Sequence, residues 1–137
     1  MELTQIRLLV SDFPAVYRFY RDVLGFAPQF EAECGPYAKL SPRTGHAAVA
    51  LQDRAQMAGL LERLGAEPEG HRALVVLRVD DLDAAHAELA SKGAEFLRAP
   101  APMGDRMRVA HLEDPEGNLI ELQEWTAPRE QPGAGPA

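Results

Sequence analysis

Residues 10–26 read VSDFPAVYRFYRDVLGF, and residues 79–96 read VDDLDAAHAELASKGAEF. These stretches are copies of one pattern, and recognising the repeat decides the fold. Val10 matches Val79 and Asp12 matches Asp81 at an offset of 69, and after one deletion Gly25 matches Gly93. Each copy leaves an alternating strand, meets an aspartate and enters a segment of helical apolar spacing. Asp12 and Asp81 (or Asp80) suit the N-cap, where a carboxylate accepts from free backbone N–H groups. Gly25 and Gly93 suit the stop, where the chain turns left-handed. The spacing predicts helices over 13–24 and 82–92.

The repeat extends outward. ALQD at 50–53 resembles ELQE at 121–124, at an offset of 71. The chain therefore reads as one domain over 1–125, built of two strand–helix–strand–strand–strand modules, 1–53 and 72–125. A linker over 54–71 joins them and holds a short helix from Gln56 to Leu64. The tail 126–137, TAPREQPGAGPA, is rich in Pro, Gly and Ala and is expected to be disordered. The expected class is α+β: paired βαβββ modules forming a cupped, mainly antiparallel eight-stranded sheet with helices on the outside. In the first strand Ile6, Leu8 and Val10 should pack on the helix carrying Val16, Phe19, Tyr20 and Val23. Gln5, Arg7 and Leu9 then face the concave side. In the second module Val75, Leu77 and Val79 turn inward, leaving Leu74, Val76 and Arg78 on the concavity.

The last hairpin, HLEDPEGNLIELQEW over 111–125, raises the functional question. Asp114-Pro115-Glu116-Gly117 is turn chemistry, with proline fixing one φ and glycine free to take a positive one. A loop symmetric about residue 116 sets His111 opposite Glu121, on the same face of the sheet. Ile120 and Leu122 then turn to the helix, and Glu121 faces the concave cleft.

Composition narrows the partners. With 14 Lys and Arg against 21 Asp and Glu, the net charge is −7, and no basic cluster appears. That argues against nucleic acid and anionic membranes as partners. No run approaches a membrane span, and the start MELTQIRLLVSDFP lacks the basic opening of a signal peptide. The lone Cys34 has no local motif that makes it a nucleophile and fits a reducing cytoplasm.

Strand–VSD–helix with FYRDVLGF in the first module, and VDDLDAA…KGAEF followed by DPEGNLIEL in the second, resemble the vicinal oxygen chelate superfamily. That group includes glyoxalase I, bleomycin-resistance proteins, fosfomycin-resistance enzymes, extradiol dioxygenases and methylmalonyl-CoA epimerase. The resemblance covers 1–125 and implies the paired βαβββ fold, commonly as a dimer. Its metal enzymes take His, Gln or Glu ligands at the start of each module's first strand and near the end of its last. Carried over by position, those sites are Gln5, Leu74, Ala50 and Glu121. Only Gln5 and Glu121 carry donors, and Leu74 stands where a histidine is usual. A catalytic divalent metal needs about three protein ligands. His46, four residues before Ala50, and His111 are the nearest additional candidates; His71 should point away and His86 lies on the outer helix.

Metal-free binding is therefore the favoured expectation, as in the drug-sequestering branch, with no cofactor assigned. The concave face would present Gln5, Arg7, His46, Gln52, Arg78, His111, Glu121, Gln123 and Trp125, a set suited to a polar, partly planar organic ligand. Phe30, Tyr37, Met103 and Met107 would add loop walls, and Arg7, Arg78 or His111 would compensate Glu121. The alternative is a divalent-metal-dependent lyase, isomerase or dioxygenase using Gln5 and Glu121 with a nearby His. A metal-free acid–base enzyme using Glu121 and His111 is a further possibility. The expected protein is a cytoplasmic homodimer.

Overall fold

The computed structural model describes residues 1–3, 5–65, 70 and 72–126. Strand β1 (Arg7–Val10) leads to helix α1 (Phe13–Arg18), which continues as a π-helical turn, Phe19–Val23. Strands β2 (Ala27–Pro28), β3 (Tyr37–Ser41) and β4 (Val49–Asp53) complete the first module. Helix α2 (Arg54–Ala58) and a 3-10 turn (Glu62–Gly65) follow. The second module holds β5 (Leu74–Arg78), α3 (Leu82–Ser91), β6 (Phe96–Met103), β7 (Met107–Glu113) and β8 (Leu119–Trp125).

The caps form as the sequence implies. Asp12 accepts from Ala15 N–H at 3.2 Å and Asp81 from Ala84 N–H at 3.0 Å. Gly25 and Gly93 close their helices with φ of 75° and 91°. The first helix departs from the expected 13–24 α-helix in its last turn, where Leu24 N–H donates to Phe19 O at 3.0 Å. The expected linker helix from Gln56 to Leu64 is instead two short pieces, begun by Asp53, which accepts from Ala55 N–H at 2.8 Å. Asp53 is a stronger start signal than Gln56, because its carboxylate reaches the first free N–H groups.

The strands form two four-stranded sheets, ordered β1-β4-β3-β2 and β5-β8-β7-β6. Both are mixed: β1 runs parallel to β4 and β5 parallel to β8, while β2–β3, β3–β4 and β6–β7 are antiparallel. Antiparallel pairs outnumber the two parallel ones, in keeping with the expected mainly antiparallel arrangement, which is laid out as two four-stranded sheets. The registers repeat. Arg7 pairs with Ala50 and Leu9 with Gln52, as Val76 pairs with Glu121 and Arg78 with Gln123. Residues 7 and 50, advanced by 69 and 71, are residues 76 and 121.

Contacts divide the chain into two compact units: Met1–Ala73 with Glu113–Asn118, and Leu74–Leu112 with the chain from Leu119. In the first unit Val10, Phe13, Val16, Tyr17, Tyr20, Leu40 and Leu51 are buried; in the second Leu82, Val109, Leu112, Ile120 and Leu122 are. Burying each large apolar side chain contributes about 1.5–3 kcal/mol. Ile6, expected on α1, is instead 72% exposed, because it precedes the first paired residue, Arg7. Among the described residues no helix is long and apolar enough to cross a membrane. The tail beyond Thr126, and His71, lie outside the described residues.

Candidate functional site

The strand register sorts each sheet into a helix-covered face and an opposite face. In the first unit Leu8, Val10, Ala38, Leu40 and Leu51 take the α1 side, leaving Arg7, Leu9, Tyr37, Lys39, Ala50 and Gln52 on the other. Polar side chains there form a connected cluster. Arg7 Nε donates to Gln5 Oε1 at 2.5 Å and Arg7 Nη1 donates to Gln52 Oε1 at 2.8 Å. Gln5 Nε2 donates to the Tyr37 hydroxyl at 2.5 Å. Gln52, only 4% exposed, also donates to Pro36 O at 3.3 Å and to Gln56 Oε1. The Arg7 guanidinium carbon sits 4.7 Å from the Tyr37 ring centroid, a cation–π geometry.

In the second unit Ile120 and Leu122 face α3, and Glu121, Gln123 and Trp125 alternate to the other side. Glu121 is 8% exposed. Its Oε1 lies 2.9 Å from His111 Nε2, and its Oε2 accepts from Gln123 Nε2 at 2.7 Å. Gln123 Oε1 accepts in turn from the Trp125 indole N–H at 3.3 Å. A carboxylate with little water needs such partners, since an uncompensated buried charge is costly. Arg7 and Arg78, expected as its counterions, are not among the partners found: Arg7 is bound to the glutamines, and Arg78 is exposed on β5. The histidine and the amide fill that role because they stand next to Glu121 on adjoining strand positions.

The structure thus brings Gln5, Arg7 and Gln52 together in one cluster and His111, Glu121, Gln123 and Trp125 in another. His46 joins neither; it is exposed in the bend before β4, so the strand-face argument linking it to Ala50 does not apply. Tyr37, expected as a loop wall, is a strand residue of the first cluster, and the alternation of Ala38 and Leu40 in YAKLS is the signal that places it. Gln56 had no signal, because its role depends on α2 beginning directly at the end of β4.

The donor set does not fit a divalent cation. Leu74 and Ala50 offer no donor atom, and the Gln5 amide oxygen already accepts from a guanidinium. Among the described residues no group of three or more His, Cys, Asp or Glu is placed to hold a metal ion. A guanidinium beside Gln5 also repels a cation approaching that oxygen.

Comparison with known proteins settles the kinship. The sequence pattern of the Glyoxalase/Bleomycin resistance protein/Dioxygenase superfamily matches residues 2–122. The chain belongs to this superfamily. The chain is also similar to the protein YraH of Bacillus subtilis (strain 168), 34% identical over 126 residues that cover 89% of this chain and 97% of that one. A glyoxalase/bleomycin resistance protein/dioxygenase from Nocardioides has a TM-score of 0.73 at 23% identity, over 97% of this chain and 90% of that one. An antibiotic binding protein from Streptomyces sp. CB03234 has a TM-score of 0.68 at 24% identity, over 91% and 98%. At those identities both solved structures attest the superfamily fold and nothing finer.

Proposed function

We propose that this chain is a metal-independent small-molecule-binding member of the superfamily, taking a polar organic ligand on the sheet faces opposite the helices. The carrying observation is that Gln5 and Glu121, the donors at the family's metal positions, are both engaged by the protein's own side chains. Arg7 holds the first, and His111 with Gln123 hold the second. One fold hosts binding and catalysis alike, so function has to come from these sites. The antibiotic binding protein of similar fold is a precedent for the binding class only. The reading includes a homodimer in the cytoplasm. A second reading, metal-free acid–base catalysis, is favoured by the His111–Glu121 contact of 2.9 Å, since one proton carrier beside another can pass a proton.

Elemental analysis of the purified chain, with benzamidine titration followed by Trp125 fluorescence, tests the main reading. Metal content near zero is expected in both wild type and Glu121→Gln. Benzamidine, a planar cation with paired N–H donors, should bind the wild type and weaken about tenfold in Glu121→Gln, the loss of one charge-assisted contact. Stoichiometric zinc, nickel, manganese or iron that disappears in Glu121→Gln overturns the proposal in favour of a metalloenzyme.

A further inference from the structure

In a chain of net charge −7, one sheet face concentrates positive charge. Arg7 and Lys39 flank Ala50 on strands β1, β4 and β3, and Leu9, Gln52 and Tyr37 form the next row. No carboxylate occupies either row. Among the described residues neither Arg7 nor Lys39 forms an ion pair, whereas Arg18, Arg21 and Arg108 each do.

Arg7 is also held in place. Its Nε and Nη1 donate to Gln5 and Gln52, and its guanidinium carbon lies over the Tyr37 ring. Phe30 extends the aromatic surface, its ring centroid 6.0 Å from that of Tyr37, and is 46% exposed. The Nη2 amino group has no protein acceptor among the described residues. An exposed arginine ordinarily keeps its rotamer freedom, which a ligand must then take away on binding. Here two amides and a ring hold it in one orientation with donors still available.

We propose that Arg7, held in one orientation by Gln5, Gln52 and Tyr37, is an anion-binding cation and that this face binds a planar organic acid. The carboxylate or phenolate oxygen of the ligand accepts from Arg7 Nη2 and Nη1, Lys39 adds a second positive charge, and the conjugated ring packs on Tyr37 and Phe30. The inference rests on the small-molecule-binding reading and names the ligand class of the first cluster.

The test uses the full chain with two isosteric probes, 2-naphthoate and the neutral 2-naphthamide, titrated by calorimetry and by backbone amide NMR. Naphthoate should bind about tenfold or more tighter than naphthamide, the scale of one charge-assisted pair, and weaken as salt is raised. Its shifts should centre on β1, β3 and β4. Arg7→Met should bring naphthoate down to the level of naphthamide. Arg7→Lys, which keeps the charge and loses the planar fork, should weaken naphthoate while retaining its preference over naphthamide. A purely structural arginine would leave the ratio of the two probes unmoved. Equal affinities for the probes, no saturable binding of naphthoate, or Arg7→Met retaining the wild-type ratio each overturns the inference. The benzamidine and Glu121 experiment reports on the second cluster, so its outcome separates failure of this inference from failure of the binding reading itself.

Discussion

Two tyrosines one turn apart on the first helical segment have opposite polar surroundings. The Tyr20 hydroxyl donates to Asp114 Oδ2 at 2.9 Å, and Asp114 also accepts from Asn118 N–H and Asn118 Nδ2 at 2.8 Å and from Glu116 N–H at 2.9 Å. The Tyr17 hydroxyl is equally buried and has no hydrogen-bond partner among the described residues. Tyr20→Phe should therefore cost about 1.5–3 kcal/mol in denaturant unfolding, the range for a bond to a charged group. Tyr17→Phe should be neutral or stabilising by up to about 1 kcal/mol, since it removes an unsatisfied group. Equal effects of the two substitutions would reject this assignment. Burial, followed by the nearby Asp114 charge and hydrogen bond, pushes the Tyr20 hydroxyl far above its usual range. A raised folded-state value means its contribution is complete below about pH 10 and is lost as pH rises beyond that. Unfolding midpoints should fall above pH 10 in the wild type and fall less in Tyr20→Phe. At this scale the sequence carried part of the site. The symmetry of the DPEG turn set His111 beside Glu121, because opposed strand positions are local geometry. The link from Tyr20 to Asp114 spans 94 residues and left no local signal.

Elements were legible where their ends carry capping chemistry. The start of α3 is held by the Asp81 cap, by Glu124 Oε1 accepting from Leu82 N–H at 3.0 Å, and by Asp83 paired with Arg108 at 3.0 Å. The Arg108 hydrogen bond draws the Asp83 carboxyl below its usual range. Its small contribution is present above about pH 4 and lost as pH falls below that. Asp81→Ala should cost about 1 kcal/mol, read as a lowered midpoint, with hydrogen exchange rising in the first turn of α3. Glycine positions separate in the same way. Gly93 has φ of 91° and open space around an added Cβ, so Gly93→Ala carries backbone strain alone. Gly35 has φ of 73° and would place a Cβ 3.1 Å from the Phe13 ring, so Gly35→Ala adds a clash and should be the more destabilising. Comparable midpoints for the two variants would count against this. The sequence misjudged elements where such signals were weak. The π-helical turn after Arg18 and the split linker helix depend on which carbonyls neighbouring segments leave available, which periodicity does not encode.

For the whole molecule, the internal repeat carried the architecture, since matching offsets in first and last strands require matching registers in the two sheets. Association is a different matter, because it depends on which apolar surface is left uncovered. Strand β5 ends the order of the second sheet, and two of its side chains, Leu74 and Val76, are 52% and 49% exposed. An edge strand with apolar side chains in water invites a partner, and soluble chains normally guard such edges with charge. Arg78, next on that face, is the strand's only charged residue. Leucine at 74, which offers no metal donor, thus adds exposed apolar surface to this edge, and the proposed homodimer is expected to cover it. Light scattering at micromolar concentration should give twice the 15.0 kDa of one chain. Leu74→Asp, which places a charge on the exposed edge strand, should shift the protein toward monomer while its far-UV spectrum stays unchanged. A wild-type monomer under these conditions would remove the homodimer from the proposed function, and a Leu74→Asp dimer as tight as wild type would place the interface elsewhere.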